Sequence, residues 1–510
     1  MVRCIALLLV ASPLACFAQT PCERLNSLLL PNATITTAEA VPAGPFQAPG
    51  TPAPPPVMLP AHCRVAAVLA PSSDSHIEME VWLPTTDAWN GKFQAVGNGG
   101  WAGTITFGTG TPQGIARNMA SALKEGYATA SNDTGHKGTG ADASFALEHP
   151  EKLVDFADRA VHEMVVKSKA IIGAFYGSGP KLSYWNGCST GGRQGLTEAQ
   201  RYPEDFDGIA AGAPANYWTH QMIGIVWAAQ ANHKDQPGNI PAEKLSLLHD
   251  AVLRACDALD GVKDGLLEDP TRCKFDPKPL ECKDADAPTC LAGPQVEAAR
   301  KMYGGATNPR TKQQIYPGMA LGSELGWDPV NGLQPFPIAE SHFRYIVFKD
   351  PNWDYRKLDF DSGVALADKT DDGLINATDP NLQAFFAHGG KLIQYHGWND
   401  QQISPLNSVN YYKSVQERLG NASKVADSYR LFMVPGMMHC GNGEGPNQFN
   451  PMAALERWRE SSIAPDQIIA MHVANGAVDV TRPLCPYPQR AVYKGTGSTN
   501  DATNFACKAR

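Results

Sequence analysis

The chain has 510 residues, 43% apolar and 18% charged, which is enough to bury a large core in roughly two to three domain-sized units. A formal net charge of −8 excludes the basic surface that nucleic-acid binding needs. Beyond the N-terminal segment, no run is long and apolar enough to cross a bilayer, so no membrane span is predicted.

Residues 1–18 have the layout of a cleavable signal peptide. A lone Arg3 precedes the apolar run Cys4–Ala11, and Cys16-Phe17-Ala18 forms a small-residue end. Acylation of Cys16 is the weaker alternative, because the three residues before it fit a lipobox poorly. We therefore expect a secreted or periplasmic protein. Without Cys4 and Cys16, ten of the 12 cysteines remain, an even number that suits an oxidising compartment.

The early part of the mature chain, from Pro42 to Pro60, is rich in proline and glycine. Proline lacks the backbone N–H that a sheet uses, and both residue types favour turns. We expect this segment to cover the surface without regular secondary structure.

A strand followed by a glycine-rich loop is predicted between Phe93 and Gly103. Where such a sheet carries a serine nucleophile, a loop early in the chain donates one backbone N–H to the oxyanion that forms when the serine attacks its substrate. Gly99 or Gly100 is the candidate for that donor, and an ordinary glycine turn is the alternative.

The next predicted strand is Tyr127–Ala130, and two polar residues follow it closely. We interpret Asp133 and His136 as buried polar scaffolding beside the glycine-rich loop.

The most specific motif is Gly187-Cys188-Ser189-Thr190-Gly191, directly after the strand-like run Leu182–Asn186. Gly-x-Ser-x-Gly is typical of a nucleophile elbow, the sharp strand-to-helix turn that exposes a serine above an α/β-hydrolase sheet. Small residues two positions either side of Ser189 let the backbones pass closely. Gln194–Gln200 can continue as a helix, so the N–H of Thr190 at its start is a candidate oxyanion donor.

A serine nucleophile needs a base and an acid that orients it, and in this fold they follow in the order Ser, Asp or Glu, His. The buried-strand pattern Lys391–His396 leads to Asp400, and the strand pattern Tyr429–Val434 leads to His439. In isolation, Asp400 would be interpreted as a turn cap and His439 as a surface histidine. The order of the three residues, each after a strand, favours a catalytic role for all of them.

The 210 residues between Ser189 and Asp400 are far more than the connections of such a sheet need. We predict a lid domain at 216–378, inserted between core segments 19–215 and 379–510, because core-like patterns end near residue 211 and resume near residue 382. The lid excludes water from the site. Five of its residues either stack on an aromatic acyl group or form the lid core: Trp327, Phe336, Phe343, Arg344 and Trp353.

Within the lid, Asp257–Leu266 contains three carboxylates with glycines where the loop must turn. Calcium takes about 6–8 oxygen ligands, which closely spaced acids on a curled loop can provide. The spacing is not that of an EF-hand, and an acidic solvated turn is the alternative.

Two cysteines support the prediction that Ser189 and His439 act together, since Cys188 directly precedes Ser189 and Cys440 directly follows His439. If the serine and the histidine are in reach of each other, the two sulfurs are close enough to bridge. With this Cys-Ser, Asp, His-Cys arrangement the sequence resembles the tannase and feruloyl esterase family of α/β-hydrolases, which includes mono(hydroxyethyl) terephthalate hydrolase. The resemblance covers nearly the whole mature chain, and Phe343–Phe348 with Asp350–Asp354 looks like the lid segment of that family.

The resemblance implies an α/β-hydrolase core with a large inserted lid, a structural Ca²⁺ in the lid and no organic cofactor. It implies Asp257, Asp260 and Asp264 as side-chain calcium ligands, with carbonyl oxygens from Val262 and Leu266. Together with proximity in the sequence, it implies five disulfides: Cys22 with Cys63, Cys188 with Cys440, Cys256 with Cys273, Cys282 with Cys290, and Cys485 with Cys507.

The implied activity is a secreted serine esterase that hydrolyses esters of phenolic or aromatic acids through an acyl-enzyme. The expected partner is a small aromatic ester, either free or attached to a polysaccharide or tannin. Feruloyl esters rank first and galloyl esters second. In the terephthalate enzyme an acidic residue follows the nucleophile and a phenylalanine lies three positions after the triad Asp, whereas this chain has Thr190 and Ile403, which disfavours the terephthalate monoester.

Two other classes stay open at this point. A lid-bearing α/β-hydrolase can be a peptidase, although no feature singles out an amine leaving group. A secreted calcium-dependent binding module is the second alternative, but it leaves an intact Ser189, Asp400 and His439 unexplained.

Overall fold

The computed structural model describes residues 20–49, 54–108, 115–233, 236–327 and 336–509, so the predicted signal peptide lies outside the described residues. Within these ranges, no helix is both apolar and long enough to span a lipid bilayer.

Strands occur in both core segments of the described chain, and the described part of the lid contains only two short strands. In chain order they are β1 (Ala33–Val41), β2 (Gly44–Phe46), β3 (Val57–Leu59), β4 (His62–Leu69), β5 (Ile77–Pro84), β6 (Lys92–Val96), β7 (Ala128–Asn132), β8 (Leu182–Cys188), β9 (Gly208–Gly212), β10 (Ala306–Thr307), β11 (Gln314–Tyr316), β12 (Lys391–Gly397), β13 (Tyr429–Val434), β14 (Ile468–Ala474), β15 (Ala477–Leu484), β16 (Arg490–Tyr493) and β17 (Phe505–Lys508).

The α-helices alternate with the later sheet strands and fill the insertion. They are α1 (Met119–Lys124), α2 (Pro150–Val154), α3 (Ala160–Tyr176), α4 (Thr190–Arg201), α5 (Trp218–Asn232), α6 (Ala242–Cys256), α7 (Gly293–Gly304), α8 (Pro337–His342), α9 (Ser362–Asp371), α10 (Gln383–Ala387), α11 (Pro405–Leu419), α12 (Ala422–Ala426) and α13 (Pro451–Ser461).

The centre of the molecule is a nine-stranded sheet in the order β1-β4-β5-β7-β6-β8-β9-β12-β13. The pairs from β1 to β7 are antiparallel. The pairs from β7 to β13 are parallel. β9 is buried throughout and β12 almost throughout, as expected for parallel strands covered on both faces. The predicted α/β fold is confirmed.

Side chains on the two faces of the sheet pack into two hydrophobic cores, because neighbouring residues of a strand point to opposite faces. Trp185 and Ile209 belong to one core, with residues of α3, α4 and α11. Tyr184 and Ile393 belong to another, with residues of α13. Ser189, Asp400 and His439 follow β8, β12 and β13, so all three residues lie beyond the carboxyl edge of the sheet.

The expectation that Pro42–Pro60 lacks regular structure is wrong. β2 and β3 pair as antiparallel strands within it, with Phe46 opposite Val57. Val57 is buried, and the ring of Phe46 lies 4.9 Å from that of Trp82. The apolar side chains supply the burial that stabilises this short pair, and Pro45 is tolerated because a two-stranded ladder has free edges.

The segment between β9 and β12 contains α5 to α10. The N–H of Ala377 donates to the carbonyl of Asn216 at 2.8 Å, so the chain leaves and rejoins the sheet at neighbouring points. Trp327 and Phe343 are fully buried, and the ring of Phe343 stacks on that of Trp353 at 5.0 Å. These three aromatic residues therefore form lid core, the second of the two roles considered for them.

Five disulfides join the cysteines of the described chain. Their pairs are those implied by the resemblance: Cys22–Cys63, Cys188–Cys440, Cys256–Cys273, Cys282–Cys290 and Cys485–Cys507.

Candidate active site

Ser189 occupies a sharp turn between β8 and α4. Its backbone has φ +63° and ψ −123°, a conformation that a side-chain-bearing residue adopts only when its surroundings enforce it. The N–H of Ser189 donates to the carbonyl of Gly212 at 3.0 Å, and its own carbonyl accepts from Arg193 at 3.0 Å and Ala215 at 3.1 Å. The end of β9 and the first turn of α4 thus hold the serine above the sheet, which is the geometry of a nucleophile elbow.

The glycines around Ser189 are required by close backbone contacts. A Cβ on Gly187 would lie 2.5 Å from the carbonyl oxygen of Gly191, and a Cβ on Gly192 would lie 2.3 Å from that of Gly212. Neither contact can relax by rotating a side chain, because each involves backbone atoms. The motif therefore reflects packing at the turn as well as the chemistry of the serine.

Asp400 orients His439. Its Oδ2 accepts a hydrogen bond from Nδ1 of His439 at 2.7 Å, while its Oδ1 accepts the N–H groups of Gln402 and Ile403 at 2.8 and 2.9 Å. Burial alone would raise the pKa of Asp400, but the charge of His439 and the hydrogen bonds outweigh it and hold that pKa well below its usual range. The carboxylate therefore stays ionised, and Nε2 of His439, which lies 3.6 Å from Sγ of the disulfide-bonded Cys440, is the nitrogen that remains for proton transfer.

His396 is a site residue that the sequence analysis did not identify. Its Nε2 lies 3.1 Å from Oδ2 of Asp400 and 3.1 Å from the carbonyl oxygen of Ile403, and its Nδ1 lies 2.7 Å from Oγ of Ser408. A carbonyl and a carboxylate only accept, so Nε2 carries a proton and donates to them. The carboxylate is thus held by two imidazoles. In the sequence, His396 looks like an ordinary last residue of a buried strand.

The disulfide between Cys188 and Cys440 joins the residue before Ser189 to the residue after His439, with a Cα–Cα distance of 6.0 Å. Arg117 adds a second constraint, because its Nη2 donates to the carbonyl of Cys440 at 2.8 Å. Among the hydrogen bonds of the described residues, none joins Ser189 to His439. In unliganded serine hydrolases this bond is often long and tightens only when substrate binds.

The candidate oxyanion donors lie together. The Oγ1 of Thr190 donates to the carbonyl oxygen of Gly100 at 2.7 Å, so the residue after the serine is tied to the glycine-rich loop. Gly100 has φ +54°, and a Cβ there would lie 2.1 Å from the carbonyl oxygen of Gly140, whereas a Cβ on Gly99 would meet open space. Within the described chain, no protein acceptor takes the N–H of Thr190 or of Gly100. Neither N–H is therefore committed to an acceptor within the described residues.

Asn98 and Gln194 form a clamp that the sequence analysis also missed. Oε1 of Gln194 accepts the N–H of Asn98 at 3.0 Å, and its Nε2 donates to Oδ1 of Asn98 at 3.1 Å. The carbonyl of Asn98 accepts the N–H of Gly191 at 2.8 Å. These paired hydrogen bonds fix the glycine-rich loop against the first turns of α4.

Asp133 and His136 lie behind the glycine-rich loop and are buried. Oδ1 of Asp133 accepts the N–H groups of Glu78 and Gly135 at 3.0 and 2.9 Å, and burial raises the pKa of Asp133 to about 7. The ring of His136 stacks on that of Phe145 at 3.5 Å. Both positions agree with the predicted scaffolding role.

The acidic loop of the lid curls on itself. Oδ1 of Asp257 accepts the N–H groups of Asp264 and Gly265, both at 3.2 Å, and Oδ1 of Asp260 accepts that of Val262 at 2.9 Å. Oδ2 of Asp264 lies 2.6 Å from Nη2 of Arg482. Among the described residues, donor atoms of His162, Glu198 and Asp205 lie within 4.8 Å of one another, whereas oxygens of the three aspartates do not.

Negative charge nevertheless exceeds positive charge at this loop. Glu268 is buried nearby, its Oε2 has no hydrogen-bond partner, and burial raises its pKa to about 8. Burial, with Asp264 adding to it, also raises the pKa of Asp260. An all-oxygen donor set with a buried, unpartnered carboxylate oxygen fits a hard divalent cation.

His249 of α6 links the lid to the loop that carries His439. Its Nδ1 lies 2.9 Å from Oε2 of Glu324, and its Nε2 lies 3.4 Å from Oε2 of Glu444, four residues after Cys440. Burial alone would lower the pKa of His249, but the hydrogen bonds and charges of the two glutamates outweigh it and raise that pKa to about 9.

We expect the stability of the protein to fall as the pH rises through about 9 because His249 loses its proton. The unfolded chain holds this proton only up to about pH 6.5, so the stabilisation is complete below that pH and is lost between about 6.5 and 9. Thermal denaturation from pH 6 to 10 should show the decline in Tm, and His249→Gln should flatten it. The exposed His149, which pairs with Asp74, supplies the control His149→Gln. An unchanged decline in His249→Gln would contradict the assignment.

Comparison with known proteins places these features in a family. The model of the family described as tannase and feruloyl esterase matches residues 63–508. An uncharacterized esterase of Xanthomonas campestris is 38% identical, over 96% of this chain and 91% of its own. A probable feruloyl esterase B-1 of Aspergillus flavus is 36% identical, over 87% of this chain and 86% of its own. The crystal structure of feruloyl esterase B from Aspergillus oryzae superposes with a TM-score of 0.87 at 33% identity, covering 96% of this chain and 99% of that one.

Proposed function

The chain belongs to the tannase and feruloyl esterase family of carboxylic-ester hydrolases, and we propose that it cleaves feruloyl and related hydroxycinnamoyl esters through an acyl-enzyme on Ser189. The observation that carries this proposal is the placement of Ser189 on a strained elbow whose neighbouring cysteine is bonded to the residue after His439.

The proposed chemistry begins with proton transfer from Ser189 to His439. Since Nδ1 of His439 donates to Asp400, Nε2 is the nitrogen that accepts the serine proton as Oγ attacks the ester carbonyl. The ionised carboxylate of Asp400 then stabilises the imidazolium. His439 returns the proton to the leaving alcohol, and water repeats the sequence to release the acid and free Ser189.

The N–H groups of Thr190 and of Gly100 or Gly99 are the proposed oxyanion donors. Thr190 begins α4, so its N–H carries the positive end of the helix dipole. The bond from Thr190 to the carbonyl of Gly100 holds the loop in place before substrate arrives. Donors fixed in advance need no reorganisation during the reaction, which is the main source of oxyanion stabilisation.

The relatives support a hydroxycinnamoyl ester as the first choice of substrate, because one is named a probable feruloyl esterase B-1 and another a feruloyl esterase B. Ile403, where the terephthalate enzyme has phenylalanine, is buried against the aromatic core of the lid. Thr190, where that enzyme has an acidic residue, is fully buried and uses its hydroxyl to bind Gly100. Both positions leave the terephthalate monoester as the less favoured substrate.

The proposal is tested by comparing kcat/KM of the purified protein on methyl ferulate, methyl gallate, mono(hydroxyethyl) terephthalate and a peptide anilide. We expect the highest value for methyl ferulate. A preference for methyl gallate would indicate a tannase, and activity on the anilide alone would overturn the esterase assignment. Mass spectrometry of a quenched reaction should find the acyl group on the peptide that contains Ser189.

We also propose that the chain is exported. Five disulfides in the described residues suit an oxidising compartment, where thiols are not kept reduced.

A structural calcium ion in the acidic loop is a further part of the proposal. Asp257, Asp260 and Asp264 would supply carboxylate oxygens, and Val262 and Leu266 would supply carbonyl oxygens. When bound, the ion would place positive charge beside the buried carboxyl groups of Glu268 and Asp260 and would take no part in the proposed catalysis. The Cys256–Cys273 disulfide closes the same loop.

We expect removal of calcium to lower the Tm, because an ion that binds only the folded state stabilises it. Activity should fall mainly through loosening of the lid. Elemental analysis of the purified protein and thermal denaturation with and without EDTA test this. After treatment with EDTA, Asp260→Asn should lose the rise in Tm that added Ca²⁺ produces, whereas the exposed lid variant Asp276→Asn should keep it. A protein without calcium and with an unchanged Tm in EDTA would reject the proposal.

A further inference from the structure

A second cluster of metal-ligating side chains is formed by residues of α3, α4 and the segment after α4, outside the acidic loop. His162 of α3, Glu198 of α4 and Asp205 after α4 each bring one donor atom within 4.8 Å of the other two. Nδ1 of His162 and Oδ2 of Asp205 are 2.7 Å apart. None of these residues takes part in the proposed reaction.

Glu198 is the unusual member of the cluster. It is only 1% exposed, and no N–H or hydroxyl group of the described protein donates to either of its carboxylate oxygens. One donor atom of Asp205 and one of His162 lie within 4.8 Å of the Glu198 carboxylate. Burial, and secondly the negative charge of Asp205, raise the pKa of Glu198 well above its usual range. A buried carboxylate that faces a second carboxylate is costly unless a proton or a cation lies between them.

The surrounding charges do not neutralise this pair directly. Nζ of Lys169 donates to the backbone carbonyl of Asp205 at 2.6 Å, and Nη1 of Arg201 bonds to Asp158. The side chain of His162 is 30% exposed, which gives the cluster access to solvent, and its ring stacks on Tyr202 at 3.9 Å. The imidazole is therefore held in place while one side of the cluster stays open.

We propose that His162, Glu198 and Asp205 form a binding site for a divalent transition-metal ion, with zinc as the preferred occupant. One imidazole nitrogen and two carboxylate oxygens are ligands that zinc accepts, and water from the open side of His162 completes a four-coordinate shell. The hard-oxygen preference of Ca²⁺ makes calcium a poor match for a site with a nitrogen ligand.

The consequence is structural. Glu198 lies on the helix that begins directly after Ser189, and His162 lies on the neighbouring helix α3. A metal ion here would join the two helices and neutralise two facing carboxylates. Zinc should therefore raise the Tm by several degrees without changing kcat.

The test uses the full-length protein after chelation, dialysed into buffer with excess Ca²⁺ so that the acidic loop is saturated. Calorimetric titration with ZnCl₂ should give one zinc per chain, and the Tm should rise. Glu198→Gln keeps the shape and neutrality of the protonated acid but removes the ligand charge. It should fold with the Tm of the zinc-free wild type, bind zinc at least tenfold more weakly and lose the zinc-dependent rise in Tm.

His472 provides the control, because its Nδ1 lies 2.7 Å from Oδ1 of Asp479 and the described residues bring no third ligand to this pair. His472→Ala should leave zinc binding unchanged. If Glu198→Gln does not fold, His162→Phe, which keeps a ring to stack on Tyr202, should show the same loss. Equal zinc binding by the wild type and these site variants, or loss of binding in His472→Ala, would overturn the proposal.

Discussion

Replacing Ser189 with alanine should abolish ester hydrolysis and leave the fold intact. The loss should reach several powers of ten in kcat, because removal of one triad member leaves only the oxyanion donors and substrate binding. The change deletes one oxygen atom at a position whose backbone is fixed by Gly212, Arg193 and Ala215, so the elbow itself has no reason to move. Steady-state kinetics on methyl ferulate and thermal denaturation measure the two effects separately.

Ser183 is a matched control on the same strand. It is buried at the start of β8, away from the carboxyl edge of the sheet, so Ser183→Ala should keep near wild-type turnover. The binding of ferulate to Ser189→Ala should also persist, since the acyl group is held by other residues. Near wild-type hydrolysis by Ser189→Ala of any ester that the native protein cleaves would show that another residue is the nucleophile.

The elbow was predictable because its requirements are local. Gly187, Ser189 and Gly191 belong to one turn. The strand-like run Leu182–Asn186 before them forms most of β8. The positions of Asp400 and His439 were predictable for a related reason, since a parallel sheet gathers the ends of its strands at one edge. Sequence order and strand patterns sufficed for the placement of all three residues.

The rest of the site depends on contacts that no pattern in the sequence marks. His396 acts on Asp400 because the turn after β12 folds back on the strand, and Asn98 meets Gln194 only when β6 lies beside β8. Nothing in the sequence distinguishes an amide or histidine side chain with these contacts from one at the end of any other strand. Their roles appear only when the distances are known.

The segment Pro42–Pro60 was mispredicted for the opposite reason, because local composition was given too much weight. Prolines and glycines favour irregular structure. The burial of Val57 and Leu59 against the core that contains Trp82 outweighs that preference and produces the β2–β3 pair. His162, Glu198 and Asp205 lie on two helices and a loop, so no sequence pattern marks them as a cluster.

Removal of the Cys188–Cys440 disulfide should reduce kcat on the order of a hundredfold and affect substrate affinity much less. A misplacement of about 1 Å between reacting groups costs roughly that factor in rate. The bridge is the covalent link between the β8–α4 turn and the loop after β13, whose residues Cys440 and Asn442 have positive φ values of 60° and 58°. Without it, the position of His439 relative to Ser189 depends on hydrogen bonds only, among them those of Arg117, Asp400 and Gln401.

The experiment compares Cys188→Ala/Cys440→Ala with Cys485→Ala/Cys507→Ala, which removes a disulfide between the C-terminal strands instead. Both double variants should lose stability, because each bridge restricts the unfolded chain, and the first closes a loop with a sequence separation of 252 residues. Only the first should lose kcat when both are assayed at a temperature at which they remain folded. The decisive result is whether kcat and stability change separately. Full kcat in Cys188→Ala/Cys440→Ala, or an equal loss of kcat in both variants, would show that the bridge stabilises the fold without positioning His439.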